Sequence, residues 1–169
     1  MQSPIVRDDI NIRSPRYFLA HTTGTCWRCR APTRLFALAV PPGHETLELA
    51  DDAQDGALAV TSWHVAAHHA FLFYIEFLPI TIQNHLKQFQ SYRFEFSDAA
   101  QGSYWANHCE RCGSLLDDHE LFCEPDGAFL PTSESSASAI RLQGMDEAFE
   151  AAAAGYAYEP QFFDAMSRT

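Results

Sequence analysis

The chain has 169 residues, of which 47% are hydrophobic and 13% aromatic, so it is long and apolar enough for one domain with a packed core. Its 22 Asp and Glu against 11 Lys and Arg give a formal net charge of −11, which argues against a nucleic-acid binder, because phosphate binding needs a basic surface. No segment predicts a membrane-spanning helix, since the most apolar stretch, 66–82, is interrupted by two histidines, Glu76 and Pro79. The opening residues lack the apolar core of a signal peptide, so we expect a cytoplasmic protein.

Strands are predicted wherever an apolar or alternating run is bounded by Pro, Gly or polar clusters. The clearest run is YRFEFS, in which aromatic and charged residues alternate as in a half-buried strand. In chain order the predicted strands are 17–25, 33–40, 46–49, 57–63, 71–77, 92–97 and 140–142.

Two helices are predicted among these strands. In 80–89 the apolar residues recur at a helical interval, and in 146–154 an acidic start precedes an alanine run that Gly155 would end. The other segments are predicted to be an irregular arm at 1–15, a turn at 51–56, a hairpin of 115–116 and 120–123, a Ser-rich loop at 131–138 and an aromatic tail at 156–169 that packs back.

Two C-x-x-C pairs, CWRC and CERC, stand far apart in the sequence. A pair with this spacing can bend back so that both sulfurs bind one ion at about 2.3 Å, and two pairs complete a tetrahedral shell. The turn between the cysteines also aims backbone N–H groups at the sulfurs. We therefore predict one structural zinc ion, bound by Cys26, Cys29, Cys109 and Cys112.

The residues that follow the two pairs differ. Gly113 follows the second pair and permits a positive φ, so that the chain can pass close to the sulfur. Arg30 holds the equivalent place after the first pair, which makes the first turn less ideal.

The cysteine pattern has three alternative interpretations. Disulfides are disfavoured because a cytosolic chain keeps its thiols reduced, and a thioredoxin-like redox pair would leave the other pair unexplained. Iron in a rubredoxin-like site would use the same four sulfurs, so the spacing leaves iron open as the alternative to zinc.

The two pairs bracket a segment that is too long to be a plain loop. We predict a strand-rich α+β fold in a single domain, 1–169, built as a split zinc ribbon with halves at 16–40 and 104–130. An antiparallel β body, 41–103, with one or two short helices is inserted between the halves, and 131–169 form a C-terminal extension. Metal binding would close this long loop. The free energy of metal binding, on the order of 10 kcal/mol in small zinc domains, would then contribute to the free energy of folding.

The stretch YWANHCERCG at 104–113, together with the earlier CWRC, resembles a group of uncharacterised bacterial zinc-ribbon-like proteins. Their first pair has the form C-[WY]-x-C, and their second pair stands in the motif W-A-N-x-C-x-x-C-G. The resemblance covers 25–38 and 92–130 and departs at 115–118, where a Gly and aromatics are expected. It implies a bacterial origin and zinc on the same four cysteines, and it implies no reaction.

The histidines of WHVAAHHAF are a weaker candidate site. His64 and His68 would lie one turn apart on a helix and, with His69, could approach a metal, but Val65 stands where a metalloprotease has its Glu. We therefore interpret them as surface or strand-flanking polar positions.

Several residues lie close to the second pair. His108 and His119 are alternative ligands, disfavoured because four cysteines already close the shell. Cys123 is predicted to be a small buried residue, with a nucleophile assisted by His119 as the alternative. Trp105 is predicted to pack over the site and Asn107 to tie its turn.

Three functions remain open from the sequence. A closed four-cysteine shell leaves zinc no open position, and a chain rich in acids and aromatics suits a basic partner surface, so the first is a non-enzymatic, zinc-stabilised protein-binding module. The second is a small hydrolase-like enzyme with a structural zinc and a cleft on the inserted body that uses His64, His68, His69 and Glu76. The third is a rubredoxin-like iron electron carrier.

Overall fold

In residues 9–49 and 61–169, which the computed structural model describes, the chain forms two β-sheets, three short α-helices and one 3-10 helix. The strands are β1 (Ile12–Ser14), β2 (Tyr17–Thr25), β3 (Pro32–Val40), β4 (Glu45–Leu49), β5 (Thr61–Val65), β6 (Ala70–Phe77), β7 (Tyr92–Ser97), β8 (Gly102–His108), β9 (Leu115–Leu116), β10 (Arg141–Met145), β11 (Phe149–Tyr158) and β12 (Ser167–Arg168). The helices are α1 (Ile80–Leu86), α2 (Asp118–Phe122) and α3 (Glu134–Ala137), with the 3-10 helix at Phe163–Ala165. The predicted strand-rich α+β class is confirmed.

The larger sheet has nine strands in the order β12-β10-β2-β3-β6-β11-β1-β4-β5, and the smaller has the order β7-β8-β9. All neighbours pair antiparallel except β10 and β12. The stretch predicted as an inserted body supplies β4 to β6 to the large sheet and β7 to the small one. Residues 131–169 supply β10, β11 and β12 to the large sheet.

Both faces of the large sheet are covered, so its central strands are apolar on both sides. In β2, Phe18 and Ala20 face one core cluster, whereas Tyr17 and Leu19 face the other. The first cluster includes α2 and the 3-10 helix, and the second includes α1 and the start of β7. This double burial explains why β3 has a nearly continuous apolar run instead of an alternating pattern.

Most of the predicted elements are found. The strands predicted at β2, β3, β4, β6 and β7 are confirmed within one residue at each end, and α1 is confirmed but ends at Leu86. The strand predicted at 57–63 overlaps β5, but its residues 57–60 and the predicted turn at 51–56 lie outside the described residues. The C-terminal tail packs back as predicted, with Phe163 and Met166 buried.

The helix predicted at 146–154 is wrong, because most of this segment belongs to β11, which runs between β6 and β1. Alanine favours helix in isolation, but pairing on both sides and burial in the sheet override that preference. Gly155 does not end a helix. It lies opposite Phe73 on β6, and its missing Cβ leaves room for the phenyl ring.

Two segments that the sequence predicts to be a strand and a loop form helices in the structure. Residues 120–123, predicted as a strand, fall mostly in α2, because the Asp117 carboxylate accepts a hydrogen bond from the His119 N–H at 2.7 Å and caps a helix. The Ser-rich loop contains α3, which Ser133 caps in the same way.

The arm predicted at 1–15 is also partly ordered as a strand. Ile12–Ser14 form β1, which pairs with β11 on one side and β4 on the other. Residues 1–8 of that arm lie outside the described part of the chain. In the described ranges, no helix has the length and apolar character needed to cross a bilayer.

Gly155→Ala tests the close approach of β11 to Phe73. The added Cβ would collide with the Phe73 ring, which is itself stacked on Phe122, so we expect a loss of about 1–3 kcal/mol in unfolding free energy. Urea unfolding followed by circular dichroism measures the loss.

Gly102→Ala is the matched control, because its Cβ would meet no atom within 4 Å. We expect it to change the unfolding free energy by less than about 0.5 kcal/mol. Equal losses in the two variants would contradict the proposed role of Gly155.

Candidate metal centre

The four predicted cysteines lie in two tight turns, each at the end of a β-hairpin. Cys26 and Cys29 are in the turn between β2 and β3, and Cys109 and Cys112 are in the turn between β8 and β9. We call the turn at 26–31 the first knuckle and the turn at 109–114 the second knuckle. The hairpins belong to different sheets, so the knuckles meet only through tertiary packing.

The cysteine side chains of the two knuckles converge on one point. The Sγ atoms of Cys26 and Cys112 are 3.6 Å apart, as are those of Cys29 and Cys109, and all four sulfurs lie within 4.8 Å of one another. Four sulfurs at about 2.3 Å from a tetrahedral ion would be about 3.8 Å apart. The cysteines are thus positioned to hold a metal ion, and among residues 9–49 and 61–169 they are the one such group of three or more His, Cys, Asp or Glu side chains.

Three backbone hydrogen bonds shape the first knuckle around Cys26. The Arg28 N–H donates to the Cys26 sulfur at 3.4 Å, and the Arg30 N–H donates to the Cys26 carbonyl at 3.0 Å. The Cys26 N–H donates to the Ala31 carbonyl at 2.9 Å. These bonds direct an N–H at a sulfur, as the C-x-x-C spacing predicts.

The second knuckle repeats the same three hydrogen bonds around Cys109. The Arg111 N–H donates to the Cys109 sulfur at 3.4 Å, the Gly113 N–H to the Cys109 carbonyl at 2.9 Å, and the Cys109 N–H to the Ser114 carbonyl at 2.9 Å. The two turns therefore share one local geometry although they occur in different hairpins.

The residue that closes each knuckle has a left-handed backbone. Gly113 has φ of 76°, which glycine adopts without strain, whereas Arg30 has φ of 62° at the equivalent place. The prediction that the first turn is the less ideal one agrees with this strained arginine.

Hydrogen bonding makes the thiols unequal in acidity. Bonding to the Ser114 side chain and backbone lowers the pKa of Cys112 to about 6, and the Cys112 backbone N–H lowers the pKa of Cys109. A backbone hydrogen bond from Ala31 lowers the pKa of Cys29. Burial and hydrogen bonding to the three neighbouring sulfurs outweigh this effect and raise the pKa to about 11. Because metals bind the thiolate, an ion in this cluster would displace the Cys29 proton, and its affinity would fall as the pH falls.

Asn107 joins β8 to β3 just before the second knuckle. Its side-chain oxygen accepts the Phe36 N–H at 2.8 Å, and its side-chain nitrogen donates to the Phe36 carbonyl at 2.9 Å. Both residues are buried. Because β3 pairs with β6 only over Leu38–Val40, the backbone of Phe36 has no β6 partner, and the Asn107 amide supplies the hydrogen bonds instead. The sequence predicts that Asn107 stabilises the turn, whereas in the structure its side chain hydrogen-bonds the two sheets to each other.

Glu110 in the second knuckle is held directly by β3. Its N–H donates to the Thr33 hydroxyl at 3.0 Å, and its carboxylate accepts from the Arg34 N–H at 2.7 Å and from Arg34 Nε at 3.1 Å. The side-chain hydrogen bond to Arg34 lowers the pKa of Glu110. The knuckles are therefore aligned by contacts that do not involve sulfur.

The alternative ligands His108 and His119 lie outside the sulfur cluster. His108 is buried, with Nδ1 3.0 Å from the Ala106 carbonyl and Nε2 2.7 Å from the Glu95 carboxylate. His119 is exposed, with Nδ1 3.6 Å from the Glu124 carboxylate.

Two other predictions near the site are corrected. Cys123, predicted to be a small buried residue, is exposed, since the helix that precedes it turns its side chain outward. Trp105, predicted to pack over the cysteines, instead contacts Tyr92 and the exposed Phe94 and packs against the core cluster that contains no cysteine.

The four residues predicted to form an enzymatic cleft do not meet in one site. His64 is exposed on β5, 3.7 Å from Glu48, and Glu76 lies near the far end of β6. His68 and His69 do share a recess of about 490 Å³ at the start of β6.

Among the described residues, the recess around the two histidines contains acids but no group of three or more side chains positioned to hold a metal ion. His68 Nε2 is 3.9 Å from the Glu159 carboxylate, and the His69 ring stacks on Phe163 at 3.9 Å. Asp164 also lines the recess. The described lining residues include no Ser, Thr or Cys.

A second recess, of about 630 Å³, lies beside the metal centre and was missed from the sequence. We call it the aromatic–acidic recess, and its lining residues are Trp27, Tyr74, Ala99, Leu115, Asp117, His119, Glu120 and Glu124. Trp27 is 55% exposed, and its Nε1 donates to the Leu115 carbonyl at 3.0 Å, so the indole of the first knuckle is fixed to β9. The lining residues come from separate segments, which is why no sequence motif indicated them.

Two adjacent acids fix the second aromatic wall of this recess. The Tyr74 N–H donates to the Asp118 carboxylate at 2.8 Å, and the Tyr74 hydroxyl donates to the Asp117 carboxylate at 3.0 Å. Tyr74 has φ of 47°, a strained value for a tyrosine, and these bonds hold it there. Burial raises the pKa of Asp118 to about 7, although the Tyr74 hydrogen bond opposes that shift.

No family model, no curated protein and no solved structure matches the chain. The resemblance to zinc-ribbon-like proteins therefore rests on the knuckle residues alone and stays a prediction. The metal site itself is argued from the positions of the four sulfurs.

The two knuckle-closing residues predict opposite effects of substitution. Arg30→Gly relieves a left-handed arginine and should raise the unfolding free energy by about 0.5–1 kcal/mol, whereas Gly113→Ala introduces the same strain and should lower it by about 1–2 kcal/mol. Urea unfolding of the two variants beside the native chain measures both. A loss of stability in both variants would contradict the equivalence of the two turns.

Proposed function

We propose that the four cysteines hold a structural zinc ion and that the chain is a non-enzymatic, zinc-stabilised module that binds a protein partner. The convergence of four sulfurs within 4.8 Å carries the proposal. Four thiolates complete the tetrahedral shell of zinc and leave no position for water or substrate, which is the pattern of a structural site. The two knuckles of matching geometry support a split zinc ribbon, in line with the resemblance to bacterial zinc-ribbon-like proteins.

The aromatic–acidic recess is the surface best suited to the partner. Its two aromatic walls are fixed by hydrogen bonds, and its rim carries Asp117, Glu120 and Glu124. A Lys or Arg side chain can lie over an aromatic face while carboxylates neutralise its charge. The formal net charge of −11 adds long-range attraction for a basic partner.

The enzyme alternative has one observation in its favour, the recess that gathers His68 and His69 with Glu159 and Asp164. A hydrolase needs a nucleophile or an activated water, and among the described residues this recess offers no Ser, Thr or Cys and no group of three metal ligands at binding distance. Iron in the four sulfurs remains the alternative metal, since zinc and iron accept the same ligands and spacing.

Metal analysis of the purified protein tests the first half of the proposal. We expect one zinc ion per chain, and we expect Cys109→Ser to lose that ion together with about 5 kcal/mol or more of unfolding free energy, because metal binding and folding are coupled. Inductively coupled plasma analysis and urea unfolding measure the two effects.

The fifth cysteine supplies the control for the metal experiment. Cys123 is exposed and outside the cluster, so Cys123→Ser should keep the zinc and the stability of the native chain. A thiolate-to-iron absorption band in the visible range would instead assign the site to electron transfer. Absence of both metals, with all four thiols titrating freely in the folded chain, would contradict a metal site.

Titration with basic peptides tests the second half of the proposal. We expect short peptides rich in Lys or Arg to bind and to change the fluorescence of Trp27, with weaker binding at higher salt because the attraction is partly Coulombic. Trp27→Ala should weaken binding by about tenfold or more, as truncation of an aromatic anchor does.

Two controls keep the partner test specific. The same peptides with acetylated lysines should bind much more weakly, and the double variant Glu120→Gln with Glu124→Gln should reproduce that loss. Equal binding of charged and acetylated peptides, or unchanged binding by Trp27→Ala, would contradict a cation site in the aromatic–acidic recess, whatever the metal content.

A further inference from the structure

Strand β7 is an open edge of the small sheet and carries exposed aromatic residues. It stands last in the order β7-β8-β9, and in the described part of the chain no strand pairs with its outer side. Its four middle residues are exposed, including Phe94 at 50% and Phe96 at 55%. An exposed apolar edge strand is a template for pairing with another chain.

The hydrogen-bond register shows which backbone groups of β7 face outward. The His108 N–H donates to the Ser91 carbonyl at 2.6 Å, so Ser91 and His108 form a hydrogen-bonded pair. In an antiparallel ladder such pairs recur at every second residue, so the next ones involve Arg93 and Glu95. The N–H and C=O groups of Arg93 and Glu95 therefore face β8. Those of Phe94 face the open edge.

The sequence of β7 is complementary to itself when two copies run antiparallel. If a twofold axis passes through Phe94, each Phe94 lies opposite the Phe94 of the other copy, and Arg93 of each copy lies opposite Glu95 of the other. The outward-facing N–H and C=O groups of the two Phe94 residues then bond to each other, and the Phe96 N–H reaches the Tyr92 carbonyl of the second copy.

Charge selects this register over the neighbouring one. Arg93 and Glu95 fall at a position without direct backbone bonds, where opposing side chains come closest, so each carboxylate gains a guanidinium from the other copy. A shift that centres the axis on Glu95 would place the two Glu95 carboxylates against each other, which is unfavourable. Arg93 and Glu95 already form an ion pair at 3.0 Å within the chain, so the four charges balance.

The aromatic side chains add the apolar part of the contact. Phe94, Phe96 and Trp105 lie on one face of the small sheet, with Phe94 directly across from Trp105. Pairing about Phe94 would align Trp105 and Phe94 of both copies in one row across the sheet, place Phe96 opposite Tyr92 of the other copy, and reduce the exposure of both phenylalanines to water. A contact built on one strand per copy falls at the small end of specific interfaces, so we expect a dissociation constant of about 1–100 µM.

We propose that the protein forms a homodimer by antiparallel pairing of β7 with β7 of a second copy, with Phe94 on the twofold axis and Arg93 of each copy opposite Glu95 of the other. The dimer joins the two small sheets into one continuous six-stranded sheet. The proposal does not depend on the identity of the metal or of a protein partner.

Charge exchange at the two positions tests the register directly. In Arg93→Glu both positions are acidic, and in Glu95→Arg both are basic, so each variant alone should repel its own copy and weaken self-association at least tenfold. Mixed together, the two variants regain opposite charges at both pairs and should form a heterodimer. Sedimentation velocity over about 1–300 µM measures all of these states.

Folding controls separate loss of the interface from loss of the fold. Glu95 also contacts His108, so each variant is checked by circular dichroism and metal content, and Arg93→Glu is the variant of choice because Arg93 is exposed. A native chain that stays monomeric over the whole range overturns the proposal. So does a native dimer that Arg93→Glu leaves unchanged, or a mixture of the two folded variants that stays monomeric.

Discussion

The structure depends on one constraint, the meeting of two hairpin ends that are 80 residues apart in sequence. Bringing such distant turns together has an entropic cost that short-range contacts cannot offset alone. Hydrogen bonds to β3 offset part of this cost: Asn107 of β8 bonds both backbone groups of Phe36, and the Glu110 N–H in the second knuckle donates to the Thr33 hydroxyl. The four sulfurs stand at the end of this hydrogen-bonded seam, so an ion there would bind a site whose parts are already aligned.

The features that the sequence predicted well are those set by short-range spacing. The C-x-x-C pairs specify their own turns, because the hydrogen bonds of each knuckle run between residues no more than five apart. The alternating pattern of β7 gave its bounds correctly for the same reason. Even the difference between Arg30 and Gly113 was visible, since a left-handed position shows its preference for glycine locally.

The features that the sequence could not predict depend on which segments become neighbours. The alanines of β11 form a strand because β6 and β1 pair with it from both sides, and neither strand is near it in sequence. The aromatic–acidic recess draws Trp27, Tyr74 and the α2 acids from three distant segments. Cys123 faces solvent because Asp117 starts a helix where hairpin alternation had predicted a strand.

The metal centre and the aromatic–acidic recess share their supports. Trp27 belongs to the first knuckle, and its indole is bonded to Leu115, which follows the second knuckle, so the position of this recess wall requires the two hairpins to stay together. An ion that fixes the knuckles would thereby fix the recess, and a purely structural metal would act on binding through geometry alone.

The distribution of charge separates the two surfaces proposed for binding. A chain with a net charge of −11 repels other copies of itself over most approaches, and the acids around Trp27 strengthen that repulsion at the recess while attracting cations. The edge of β7 is different, because the charges of Arg93 and Glu95 cancel and each would face the opposite charge in an antiparallel copy. The proposed self-association therefore uses a strand whose charges balance, whereas the acids of the recess favour a basic partner.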